Sequence, residues 1–410
     1  MSGLLQNFSA LTVLRALNVL VPLALYPWLM YQLGPETLGI VVFAQAVATY
    51  FMVVPNYNME TFGTGLVAKA GMDSNALKSI TSQLLGLKFS LFVLTALAFV
   101  LLTFLWPFAR QNVWIFLLSM HLFVQEAFLP TWFFQGVQKV KIVATYNGLS
   151  KLIAVLWMLT FVRGPETAFH VPLGYLWGTL VASLASTWKL WAHIHGMARW
   201  HRSQIVGLAK SGWPYFITSV NGYLYVYANR ILMGYFGMSY VAYYDLADKW
   251  LQMGKAPQQI LGLSLFPKIS QSPSPKSILK RFGPPSIMVN VLLAGGLFFT
   301  AGWIVEFSIP DVAPEAYRLS TGLLRILSMN ILLSGLNSLF VIQGLMGSGE
   351  GKSVMWLTLE TLVFFGLSMG GLFLVGCFTP LMITRAAVAA EAYLVVRSGI
   401  VVWKKWGTWA

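Results

Sequence analysis

A chain of 410 residues that is 57% hydrophobic and 10% charged, with a mean hydropathy of +0.69, has too few polar groups to cover a soluble surface; an average soluble domain carries about 25% charged residues. Lipid as the outer solvent removes that difficulty and demands recurring apolar runs of about 20 residues. A formal net charge of +14 would suggest nucleic acid in a soluble protein, and the single cysteine, Cys377, excludes an internal disulfide.

In chain order, the first apolar run covers roughly residues 10–31. No basic n-region or small-x-small cleavage site precedes it, so it reads as a retained span rather than a removed signal peptide. Eleven further spans are expected at roughly 38–57, 82–105, 112–134, 142–162, 169–191, 212–233, 240–264, 284–307, 317–342, 354–376 and 381–402. Pro130 and Pro257 should interrupt the fourth and eighth.

The loops fix a direction. One set carries most of the cations, among them Lys69, Lys78, Lys139, Lys141, Arg199, Arg202, Lys352 and Lys404. The other carries Arg110 and Arg163, with Arg318 at a span edge, and the acids Glu36, Glu166, Asp311 and Glu315. Positive loops stay in the cytoplasm, so both termini are expected there. The basic excess is thus a topology signal and not a nucleic-acid footprint. No loop on the acidic side is long enough for an extracytoplasmic catalytic domain.

The stretch "LMYQLGPETLG" at 29–39 has a partner in "LMGYFGMSYVA" at 232–242. A constant offset of 203 residues, 221 minus 18, aligns Asn18 with Asn221, Leu29 with Leu232, Met30 with Met233, Gly34 with Gly237 and Ala44 with Ala247. Both stretches turn at a glycine between two spans. The expected fold class is therefore all-α: a polytopic membrane protein of 12 transmembrane helices. They form two pseudo-symmetric six-helix bundles, residues 1–205 and 206–410, around a central cavity, as in transporters built from repeats.

Polar side chains within spans face the bundle interior or a wet cavity. Arg15 and Asn18 mark span one, and Gln45, Thr49 and Asn56 span two. Thr218, Asn221, Tyr225, Asn229 and Arg230 mark span seven, Asp245, Asp248, Lys249, Gln252 and Gln259 span eight, and Arg325 span ten. Spans one, two, seven and eight carry the richest stripes and are expected to line the cavity.

Arg15, Arg230 and Arg325 have no acid within a turn, and an unpaired arginine at the bilayer centre costs about 2.5–3.5 kcal/mol on insertion scales. Two readings stand. They await an anion, with Asn18, Asn221 and Tyr225 as neutral contacts, or they pair across helices with Glu126, Glu360 or Glu391. Asp245 is either neutralised by Lys249, spaced i,i+4, or serves ion coupling. Glu126, Asp245, Asp248 and His121 are the candidates for proton or ion coupling, and hydrogen-bonded packing is the competing role for His121 and Glu126. Lys88, Glu306 and Arg318 read as snorkelling residues near an interface. Trp106, Trp114, Trp132, Trp157, Trp403 and Trp406 read as interfacial belts.

No cofactor or metal site is expected. "MGSGEGKS" at 346–353 lacks the first glycine of a phosphate-binding loop, Met346 standing in its place, and no strand precedes it. The His-x-His at 193–195 has no nearby Cys or acid to complete a zinc site.

The stretch "LPTWFFQGVQKVKIVATYNGLSKLI", 129–153, resembles the fourth-span signature of Wzx-type polysaccharide flippases. Pro130, Trp132, Gln135, Gly136, Asn147, Ser150 and Lys151 stand at its marked positions. "LGPETLG", "NRILMGYFGMSYVAYYDLADK" and "SLFPKIS" resemble further stretches of the same family. The resemblance implies a non-enzymatic transporter in the bacterial inner membrane. It would move an undecaprenyl-pyrophosphate-linked oligosaccharide repeat from the cytoplasmic to the periplasmic leaflet, as in O-antigen and lipopolysaccharide biosynthesis. Its partners would be that substrate, membrane lipids and other polysaccharide assembly proteins. The wider superfamily includes MATE drug exporters and lipid II flippases, and the latter usually carry two further spans. The rival readings are a MATE-like small-molecule antiporter and a membrane-embedded glycan polymerase or acyltransferase.

Overall fold

The structure, a computed structural model, describes the backbone of residues 2–71, 73–270, 275–309, 312–346 and 350–406, and side chains there except at 2–18, 260, 262–280 and 406. Every regular element among the described residues is helical. The first part of the chain forms α1 (Ser2–Asn56), α2 (Phe62–Ala70), α3 (Ser74–Leu105), α4 (Pro107–Gln111), α5 (Val113–Ser119), α6 (His121–Phe128), α7 (Thr131–Gly136), α8 (Val140–Phe161) and α9 (His170–His193). The rest forms α10 (Arg202–Met233), α11 (Met238–Ser270), α12 (Pro275–Ser308), α13 (Pro314–Asn337), α14 (Gly351–Leu374) and α15 (Pro380–Trp406). A wider π-type turn, Ser338–Met346, continues α13.

Nine helical segments among the described residues are long and apolar enough to cross a bilayer. Expected spans one and two lie together in α1. At 55 residues this helix would be about 80 Å long if straight, far beyond a membrane. Gly34 breaks it, with φ 70° and ψ 163°, a region that only glycine enters readily. Pro35 then opens the second segment, where its missing N–H is not needed. Expected spans seven and eight are the helices α10 and α11, of 32 and 33 residues, and their polar stripes make them less apolar than the nine. Gly237, φ 133°, lies between them.

A Cβ on Gly34 would meet nothing within 4 Å, so the Gly34→Ala change tests backbone strain alone. The solubilised variant is expected to lose about 1–3 kcal/mol of stability, seen as a lowered melting temperature. An unchanged melting temperature would show that the break is not held by glycine.

The two prolines behave differently. Pro130 separates α6 from α7, as expected. Pro257 does not break α11, which runs through it, just as α10 runs through Pro214 and α12 through Pro284 and Pro285. A proline frees one carbonyl, and packed neighbours or a local adjustment within a membrane helix absorb it. Span four is further divided at Met120, between α5 and α6.

Contacts divide the chain into two units. The first holds residues 1–18 and 32–227, the second 19–31 and 228–410. The division at Tyr227 falls inside α10. In the first unit, Tyr57, Met59, Phe62, Trp132, Phe133 and Phe134 form a buried cluster where α2 meets α7. α8 and α9 pack so closely that a Cβ on Gly178 would come 2.0 Å from the Ser150 carbonyl oxygen. In the second unit, Val341, Leu345, Val354, Leu357 and Val402 bury the junction of the π-type turn with α14 and α15.

Candidate functional site

Each unit holds buried charge. In the first, α1 ends at Asn56 because Tyr57 and Asn58 adopt φ of 47° and 52°. The Asn58 N–H donates to the Asn56 side-chain oxygen at 3.0 Å, which turns the Asn56 amide outward to donate to Glu126 Oε2 at 2.8 Å. Lys88 Nζ on α3 lies 3.8 Å from the same oxygen, with 2% of its side chain exposed. Lys88 therefore does not snorkel. α3 begins at Ser74, so Lys88 sits 14 residues into the helix, about 21 Å from its start, level with a carboxylate. His121, one of the coupling candidates, is buried and stacks on Tyr175 with ring centroids 5.3 Å apart. Its ring nitrogens have no hydrogen-bond partner among the described residues, so no relay to Glu126 is formed here.

The second unit holds a larger network. α10 and α11 form a hairpin with its turn near Gly237, which sets Arg230 opposite Asp245 and Asp248. Arg230 Nε donates to Asp245 Oδ1 at 2.9 Å, and its Nη2 to Asp248 Oδ2 at 2.6 Å. Lys249 Nζ reaches Asp245 Oδ2 at 2.8 Å. The exposed fractions are 14% for Arg230, 3% for Asp245, 14% for Asp248 and 25% for Lys249. Tyr26, from the α1 segment grouped with this unit, donates its hydroxyl to the Ala242 carbonyl at 2.7 Å. Its ring lies 5.1 Å from Lys249 Nζ. Asn229 donates to the Tyr244 hydroxyl at 3.0 Å and Gln252 to Asp248 at 3.3 Å. Two cations and two anions cancel, so the network is neutral.

Arg230 thus has its counter-ions, and they are not the three glutamates considered from sequence. Those have other partners: Glu126 the pair just described, Glu360 a two-pronged contact with Arg397 at 2.9 and 3.1 Å, and Glu391 the Asn337 amide at 2.6 Å. Arg325 stands apart on α13, exposed, its guanidinium 5.4 Å from the Phe298 ring centre. Asn221 and Tyr225 are half-buried on the part of α10 that belongs to the first unit. The Arg15 and Asn18 side chains lie outside the described residues.

The motif around Pro130 is a packing joint. Trp132, expected in an interfacial belt, is 1% exposed, and its carbonyl accepts from Thr64 Oγ1 at 3.1 Å. A Cβ on Gly136 would strike Val67 at 2.5 Å, so glycine lets α7 lie against α2. Pro130 ends α6 and Gln135 is half-buried beside the joint. The sequence places Lys88 at an interface and does not connect Asn56 with Glu126; the signal available was a lysine and a glutamate in neighbouring spans.

Known proteins match both sequence and fold. The profile of the family described as "Polysaccharide biosynthesis protein" matches residues 4–272, well over half of the chain. The chain belongs to that family. Two curated relatives of this chain bear the name "Putative O-antigen transporter". One, from Shigella dysenteriae, is 24% identical over 299 residues, which is 72% of this chain and 75% of the relative. The other, from Escherichia coli strain K12, is 31% identical over 164 residues, 39% of each. Among solved structures, an inward-facing MATE-family multidrug transporter of the MOP superfamily superimposes with a TM-score of 0.75 at 12% identity, covering 96% of both chains. The lipid II flippase MurJ in an inward closed conformation gives 0.65 at 13% identity, covering 90% of this chain and 85% of that one. The chain therefore shares the fold of these transporters.

Proposed function

We propose that this protein is a flippase for a lipid-linked oligosaccharide. It moves an undecaprenyl-pyrophosphate-linked repeat unit from the cytoplasmic to the periplasmic leaflet of the bacterial inner membrane. Alternating access between two six-helix lobes, 1–205 and 206–410, exposes a central cavity to each side in turn, and both termini are cytoplasmic. The observation that carries this reading is the family match across residues 4–272. It is supported by the O-antigen transporter named among the relatives and by the superfamily fold.

Physical chemistry fits the task. A sugar hydroxyl entering hydrocarbon unpaired costs several kcal/mol, so a glycan headgroup needs a polar route. The polar faces of α10 and α11 offer donors and acceptors, and the prenyl tail stays in lipid. An inside-negative potential favours outward movement of an anion by about 2.3 kcal/mol per charge per 100 mV. Asn18, Asn221, Tyr225, Arg15 and Arg325 are the proposed headgroup contacts, and Arg230 joins them only when its aspartates release it. Glu126 is the first candidate for a coupling proton, with Asp245, Asp248 and His121 behind it.

Deleting the gene tests the reading. Complete lipid-linked repeat units should accumulate on the inner face, detected by leaflet-specific labelling of spheroplasts and inverted vesicles. Accumulation of incomplete units, or of complete units on the outer face, would point to an enzyme and end the proposal.

A further inference from the structure

Two apolar grooves of the second unit share one guanidinium. The first has a cavity volume of about 670 Å3 and lies between α12, α13 and α15, with Gly295, Phe298, Met329 and Ala392 in its lining. The second, about 500 Å3, lies between α14 and α15 and includes Gly371, Val375 and Ala386. Both volumes are in the range of small-molecule sites. Arg385 and Ala389 line both grooves. They stand one turn apart on α15, both exposed, and form a ridge with one groove on either side.

Missing side chains create the grooves. A Cβ on Gly295 or on Gly371 would meet nothing within 4 Å. The rims are apolar and open: Phe299 is 81% exposed and Val375 77%. Hydrocarbon is the solvent that suits such surfaces.

Arg385 does not suit hydrocarbon. Lys88, Arg230, Lys249, Arg397 and Lys405 each have a carboxylate. Arg385 has none among the described residues, and its hydrogen bond goes to Met382 Sδ at 3.3 Å, a weak acceptor. An exposed arginine in an apolar surface needs an anion. Arg385 lies five residues into α15, about 7.5 Å from its start, within reach of the headgroup layer by snorkelling.

We propose that this ridge binds one anionic two-chain glycerophospholipid, with its phosphate on Arg385 and one acyl chain in each groove. A single head between two grooves matches one charge carrying two chains, whereas a polyprenyl lipid has one chain and leaves a groove unfilled. Acyl chains gain little on leaving bulk lipid for a groove of the same polarity. Selectivity therefore comes from the guanidinium, which meets a phosphate with two parallel hydrogen bonds. The bound lipid ties α12, α13 and α14 to α15. This site does not rest on the transport reading, and its first groove meets that reading at one place, Phe298, whose ring lies 5.4 Å from the Arg325 guanidinium.

The test uses the full chain in nanodiscs of equal parts phosphatidylethanolamine and phosphatidylglycerol, released into detergent for native mass spectrometry. Wild type should retain one phosphatidylglycerol. Arg385→Gln should lower its retention relative to phosphatidylethanolamine roughly tenfold, the worth of one charge-assisted hydrogen bond. Gly295→Leu and Gly371→Leu, which fill one groove each, should lower it with Arg385 intact. Added phosphatidylglycerol should raise the melting temperature of wild type and not that of Arg385→Gln, and equal melting temperatures without added lipid show that the variants fold. Arg163→Gln, a cation elsewhere, should change nothing. Undiminished retention in Arg385→Gln or in the leucine variants, an equal loss in Arg163→Gln, or recovery of a polyprenyl lipid in place of the phospholipid would each overturn the proposal.

Discussion

Arg230→Gln should destabilise the solubilised protein by about 3–5 kcal/mol and abolish export. The arginine neutralises two aspartates, and Asp245 is 3% exposed. Removing one member of a buried ion pair leaves a charge in a low-dielectric interior, which costs about that much. Lys249 still compensates Asp245, so the loss should fall toward the lower end. Arg230→Lys should recover only part of it, since an ammonium cannot donate along the two fixed directions that the guanidinium uses. The double variant Arg230→Gln, Asp248→Asn restores neutrality and should regain most of the melting temperature. Thermal unfolding in detergent and complementation of a deletion strain measure the two effects. Were Arg230→Gln as stable as wild type, the network would not hold α10 against α11.

Glu126→Ala should be nearly as damaging, at about 3–5 kcal/mol, because it strands the Lys88 ammonium and the Asn56 amide together. Replacing both charges, Lys88→Met with Glu126→Leu, should restore much of the stability, since apolar residues of similar volume often substitute for a buried pair. Export should not return if Glu126 carries the coupling proton. Glu126→Gln keeps the shape and an acceptor for Asn56 but cannot exchange a proton. In proteoliposomes it should make transport insensitive to an imposed pH gradient. A double variant that is stable and fully active would remove Glu126 from the coupling scheme and leave it a packing role.

The membrane class and the helices were readable from apolar run length, and the break in α1 from a glycine followed by proline at 34–35. Tertiary placement was not. An apolar run beginning near residue 82 puts Lys88 at an interface, whereas the helix begins at Ser74 and carries the lysine deep into the unit. Arg230 has no acid within a helical turn, and the cross-helix partners the sequence suggests, Glu126, Glu360 and Glu391, are not the ones it uses. Its partners lie 15 and 18 residues on, across an antiparallel hairpin, where positions equidistant from the turn face each other. The Pro130 motif was legible as a family mark, but its role as a joint depends on Val67 and Thr64 of α2, more than sixty residues earlier. Pro257 carried a local signal that packing overrode.

The cancellation of charge among Arg230, Asp245, Asp248 and Lys249 has an electrical consequence. A voltage acts on a moving group in proportion to its net charge, at about 2.3 kcal/mol per elementary charge per 100 mV. A neutral quartet that shifts as one body feels no force from the membrane field. Any voltage sensitivity of the empty carrier must then come from other residues, and a current that appears only with cargo would belong to the cargo's own charge.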